Sequence, residues 1–118
     1  MGESVDVGDA TEALRADIAT GVWRLHIHAT NEAEDAVLYW GDQTSVCVLN
    51  DVQFEAVVDM ATLPTTGVVA VFGMAGDHNL DKDTVAESAW FRMDASGVIK
   101  VETDDGTTNT DDTATGIT

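Results

Sequence analysis

Asp77, Asn79, Asp81 and Asp83 stand at alternate positions, the spacing in this chain that comes nearest to a ligand site. Calcium takes about six to eight oxygen ligands, and loop carboxylates spaced in this way bring side-chain oxygens together. The match then fails. Lys82 occupies the place of the sharp-turn glycine, and Ser88, beside Glu87, stands where a calcium loop needs its bidentate glutamate. A solvated loop between two core strands is the stronger expectation, with no cofactor unless calcium fills this one.

Three further groupings invite chemistry. His26 and His28 share one strand face and present two imidazoles, with His78 as a distant third; zinc asks for three protein ligands or more. Hydrogen-bonded histidines titrating near neutral pH are the simpler account. Asp104-Asp105 and Asp111-Asp112 are paired carboxylates, which serve acid–base chemistry only when burial separates their pKa values. The Thr- and Gly-rich segment around them offers nothing to bury them. Trp40, beside Gly41, is the best candidate for stacking a sugar ring, although tryptophans in alternating strands are mostly core residues.

The elements that must position these groups are strands. Between about residues 21 and 103, apolar and polar residues alternate through successive runs separated by turn signals, the period of half-buried β-structure. Strands are expected at 22–29, 36–40, 45–49, 52–60, 68–75, 88–94 and 98–103. The cleanest alternation is Val52, Phe54, Ala56, Val58 and Met60. Seven short strands without a convincing helix between them indicate an all-β, antiparallel β-sandwich of jelly-roll type. Residues 1–20 are expected to be an arm, an edge strand or a short helix capped by Asp9, with Ala10, Leu14 and Ile18 on one stripe of the helix. Residues 104–118 read as an acidic, threonine-rich loop or C-terminal arm.

The chain has 118 residues, enough for one core, and 44% of them are hydrophobic. Against 5 Lys and Arg stand 22 Asp and Glu, a formal net charge of −17. Such a surface repels phosphate backbones and anionic lipid, so neither nucleic acid nor membrane is an expected partner. The single cysteine, Cys47, lies in an apolar run and reads as a buried thiol. The first residues have neither a basic start nor an apolar core, so a cytoplasmic product is expected.

The stretch from Ala36 onward resembles the concanavalin A-like, laminin-G-like jelly-roll modules of tailed-phage virion proteins. The residues that carry the resemblance are 34–42 (EDAVLYWGD), 54–56 (FEA), 71–79 (VFGMAGDHN), 89–93 (AWFRM) and 101–106 (VETDDG). In such modules a Thr- and Asp-rich link leads into further strands, so the sandwich is expected to be incomplete without a partner chain or further residues. The resemblance implies a non-enzymatic virion protein assembled in the host cytoplasm. Its expected role is capsid decoration or cement, with the major capsid protein and sibling copies, as a trimer, for partners. Arg15, Asp104, Asp105 and Thr118 are the expected interface residues. Removal of residues 1–9 is expected to weaken particle binding and spare the fold. The alternative is a carbohydrate-binding, receptor-binding module of a tail fibre, using Trp40 and the 77–83 loop.

The charge generates a prediction whatever the partner. Self-repulsion at −17 is screened at about 1 M salt, where the Debye length is about 3 Å. The melting temperature in calorimetry should therefore rise between low salt and about 1 M NaCl. A flat profile would remove self-repulsion as a significant cost.

Overall fold

The computed structural model describes residues 3–14, 21–28, 33–39 and 52–118, in which every regular element but one 3-10 turn is an antiparallel strand. The fold is therefore all-β, as the alternation indicated. Two compact units divide the chain, Met1–Thr44 and Ser45–Thr118. Among the described residues no helix is long and apolar enough to cross a membrane.

Among its described residues the first unit holds four short strands: β1 (Glu3–Val7), β2 (Thr11–Leu14), β3 (Trp23–His26) and β4 (Asp35–Tyr39). Their pairing is nested. β2 and β3 form a ribbon with Thr11 opposite His26 and Leu14 opposite Trp23, while β1 reaches past them to pair β4 from Glu3–Tyr39 to Val7–Asp35. A long hairpin folded over on itself is the winding from which a jelly roll is built. The two ribbons touch through β2, β3 and β4, so the antiparallel layers pack as a small β-sandwich. Ala10, at the corner between β1 and β2, is only 4% exposed.

This arrangement corrects the account of the N-terminal segment. The helix expected from Asp9 does not form over residues 9–14, because Thr11–Leu14 is strand β2; residues 15–19 lie outside the described residues. A helix of so few turns has too few hydrogen bonds to outweigh its nucleation cost, and cross-strand pairing takes the residues instead. Nor is the segment a detachable arm. β1 pairs β4 at five positions, so removing residues 1–9 deletes a strand and cannot leave the fold intact.

The second unit is a four-stranded meander in the order β5 (Ala70–Ala75), β6 (Glu87–Met93), β7 (Ile99–Asp105) and β8 (Asn109–Ile117). Its turns follow local chemistry. Between β6 and β7, Asp94 Oδ1 accepts the Ser96 N–H at 2.8 Å and the Gly97 N–H reaches the Asp94 carbonyl at 3.0 Å. Gly97 has φ +70°, the left-handed region that favours glycine. Between β7 and β8, Asp104 Oδ1 accepts from Gly106 N–H, and Asp105 Oδ1 from Thr107 and Thr108 N–H. The 104–118 segment is accordingly no loop or arm. Asp104 and Asp105 end β7, and nine residues pair back along it as β8.

The opposite correction falls on residues 52–60, which form no strand despite the clearest alternation in the chain; Val57 is 99% exposed. Alternation supplies a face, but a strand also needs a partner in register, and residues 52–60 pair with none of the described strands. The expected strand at 45–49 lies outside the described residues.

Trp90 anchors the polar face of the meander. It is 8% exposed and sits opposite Gly73 on β5 and Glu102 on β7. A Cβ on Gly73 would lie 2.5 Å from the Ala89 carbonyl oxygen and 2.6 Å from Trp90 Cα, both backbone atoms that cannot move aside. Gly73→Ala should therefore destabilise this unit by about 1–3 kcal/mol, read from chemical denaturation with near-ultraviolet circular dichroism of Trp90. An unchanged midpoint would show that β5 and β6 do not approach so closely.

Candidate functional site

On the polar face of the meander, alternation aligns Ser88, Trp90 and Arg92 of β6 with Asp104, Glu102 and Lys100 of β7. Glu102 is 4% exposed, a position a carboxylate occupies only when its oxygens are matched. Trp90 Nε1–H donates to Oε2 at 2.7 Å, and Arg92 Nη1 donates to Oε1 at 3.0 Å. The same Arg92 nitrogen also bonds Asp83 Oδ1. Burial works against the Arg92 charge, but hydrogen bonding and Coulomb attraction from Asp83 and Glu102 together outweigh it and raise its pKa above the ordinary value.

Through Asp83 this network holds the loop between β5 and β6. The loop makes a 3-10 turn over Lys82–Thr84, where Asp81 Oδ1 accepts the Asp83 N–H and the Asp81 carbonyl accepts from Thr84 Oγ1 and N. Val85 follows, 6% exposed. Between loop and sheet lies a cavity of about 10 Å³, lined by Lys82, Asp83, Val85, Trp90, Glu102 and Asp111 among others. Such a volume holds about one water molecule. The network holds the 3-10 turn and the sheet together.

The 77–83 positions are spent in the same way. Asp77 Oδ1 accepts the His78 N–H, Asn79 Oδ1 accepts the Asp81 N–H, Asp81 Oδ1 caps the turn, and Asp83 meets Arg92. Among the described residues no group of three or more His, Cys, Asp or Glu is placed to hold a metal ion. Asp104 and Asp105 act as turn acceptors, and Thr118 is exposed after β8. Trp40 and Arg15 lie outside the described residues.

His26 and His28 do come together, with ring centroids 4.6 Å apart in an edge-on contact. Their neighbour is Glu34, which the sequence did not join to them. The His28 N–H donates to Glu34 Oε2 at 2.5 Å, and His28 Nδ1 lies 3.9 Å from the same oxygen. The contact joins residues six apart in sequence, a separation at which no periodic pattern points from one to the other.

The more informative surface is apolar. Leu14 and Trp23 are directly opposite on β2 and β3, and Leu25 lies two residues along on the Trp23 side. They are 60%, 47% and 49% exposed. In the second unit the face away from Glu102 sets Phe72 opposite Phe91 and Phe91 opposite Val101, with the phenyl rings stacked at 5.6 Å. Phe91 and Ile117 remain largely exposed there. Alternation had placed Trp23 and Leu25 on one face, as observed, but that face is open and not a core.

Comparison with protein-family models, with curated proteins and with solved structures gave no match.

Two predictions follow from the geometry. Glu102→Ala leaves Arg92 and the Trp90 indole N–H without their buried acceptor. It should cost about 3–5 kcal/mol by denaturant unfolding, with Glu102→Gln, which keeps an acceptor for Trp90, costing less. Equal costs would show that the acceptor kept for Trp90 contributes nothing and that loss of the charge facing Arg92 accounts for the whole effect. The second concerns acid. Lys100, whose Nζ is 2.8 Å from Oδ2, and Ser96 hold the Asp94 carboxyl well below its usual pKa of 3.8, and the Thr108 and Thr107 N–H groups lower that of Asp105. Depressed folded pKa values stabilise the fold above pH 3.8 and lose that contribution as pH falls below it. The melting-temperature gap between wild type and Asp94→Asn should thus be full at pH 7 and shrink below about pH 4. A gap that stays constant would detach it from the Asp94 charge.

Proposed function

We propose that this chain is a non-enzymatic structural protein of a tailed-phage particle, docking on the capsid as a decoration or cement protein. One observation carries the docking part of that reading: the open face of Leu14, Trp23 and Leu25 on the β2–β3 ribbon. Contiguous exposed apolar side chains rimmed by charge mark interaction surfaces, and a chain of net charge −17 otherwise presents a strongly solvated exterior. The phage particle and the major capsid protein as partner come from the resemblance of residues 36–118 to virion jelly-roll modules. A trimer fits the closed symmetry common among such assemblies.

The mechanism is linkage. A protein that binds the assembled shell and not its separated subunits lowers the free energy of the closed state by mass action. Burying the apolar face supplies the contact, and the acidic exterior keeps decorated particles apart.

The experiment is addition of purified protein to particles stripped of their decoration, with retention read by sedimentation and shell opening read by heating. Wild type should bind saturably and raise the opening temperature. Trp23→Glu, at an exposed position, should lose at least about tenfold in affinity with its circular dichroism unchanged. Wild type that ignores particles while binding glycans, with loss on Trp40→Ala, would replace this function with the tail-fibre one.

A further inference from the structure

The outer edge of β8 is unused by the account above. β8 ends the sheet order, and among the described residues no strand lies beyond it. At nine residues it is the longest strand among the described residues, and every described side chain along it is exposed. An edge of this kind offers a row of backbone N–H and C=O groups to another chain. Natural edges are blunted with lysine or proline; Asn109–Ile117 contains neither. The register shifts between Ile99/Lys100 and Val101/Thr103 twist the β7–β8 pair but do not cover it.

Charge selects what pairs there. The cations of the meander and its loops are engaged: Lys82 Nζ donates to the Asn79 carbonyl, Arg92 meets Asp83 and Glu102, and Lys100 meets Asp94. Asp104 and Asp111 line one side of the sheet at the β7–β8 end, and no described lysine or arginine forms an ion pair with either. A second copy pairing antiparallel through the Asp111-Asp112 stretch would set like charges near one another, which is destabilising across strands.

We propose that the free edge of β8 takes up an extended segment of a partner protein as an added strand, and that this segment carries lysine or arginine at alternate positions. Backbone hydrogen bonds along β8 supply the affinity. Cations on the added strand meet Asp111 on β8 itself, with Asp104 one strand further in, and supply the selection. The inference rests on the docking reading of the chain and adds the chemistry of one partner to it.

The test uses the full chain at about 0.15 M salt and a fluorescent peptide of alternating threonine and lysine, nine residues long to match β8. A control peptide of the same sequence is N-methylated at alternate amides, which keeps its charge and removes strand pairing. The expected result is saturable binding of the first peptide with slowed amide exchange over residues 109–117. The control should bind at least about tenfold more weakly, and Asp111→Asn should weaken binding roughly two- to fivefold. Equal binding of the control, protection confined to other strands, or self-association through β8 that excludes the peptide each overturns the proposal. Particle binding without peptide uptake removes this inference alone; peptide uptake by a chain that ignores particles removes the capsid reading alone.

Discussion

The second unit depends on one buried carboxylate. Glu102 is tolerated in the sheet because the Trp90 indole N–H and the Arg92 guanidinium each meet one of its oxygens. That requirement fixes register: a one-residue slip of β7 would carry Glu102 to the face of Phe72, Phe91 and Val101, where no donor waits. The bare backbone at Gly73 belongs to the same strand pair, since the β6 backbone at Ala89 and Trp90 lies where a side chain on β5 would go. Arg92 extends the same constraint outward through Asp83, so the loop between β5 and β6 is tied to the sheet that Glu102 organises.

Elsewhere the acidic residues work as local acceptors. Asp81, Asp94, Asp104 and Asp105 each accept backbone N–H groups one to three residues away, holding a 3-10 turn and two hairpin connections. Such bonds form most readily to an ionised oxygen, which is why Asp105 holds its proton weakly; at Asp94 the Lys100 side chain contributes most, with Ser96 beside it. A chain with this excess of carboxylates thus uses part of its charge to specify turns. The spacing that suggested a cation loop at 77–83 is better explained by the spacing of successive Asx turns.

The polar interior of the meander and the open apolar faces have a common origin. A four-stranded sheet has two faces, and here one is committed to the Trp90–Glu102–Arg92 network beneath its own loop. The other collects Phe72, Phe91, Met93, Val101 and Ile117, with Met93 buried but Phe91 and Ile117 exposed. In the first unit, the short β2–β3 ribbon leaves Leu14, Trp23 and Leu25 open in the same way. Apolar area left in water is unfavourable by about 25 cal/mol for each Å², and an assembly partner that covers it recovers that free energy.

The sequence by itself determined fold class, because period-two alternation is a local property that survives any arrangement of strands: β3, β4, β5, β6 and β7 fall within or beside the runs that predict them. It also placed the turn at 94–97, where Asp and Gly act within a few residues of themselves. Tertiary structure alone decided which runs found partners. The best-alternating run, 52–60, forms no strand, while the polar run 109–117 becomes the longest among the described residues because β7 offers it an edge. It decided the nested pairing of β1 with β4 across the β2–β3 ribbon, and the meeting of Glu102 with Trp90 and Arg92, contacts ten or more residues apart. Local pattern fixes which face a side chain takes; what stands opposite that face is set by pairing between distant segments, and no periodicity records it.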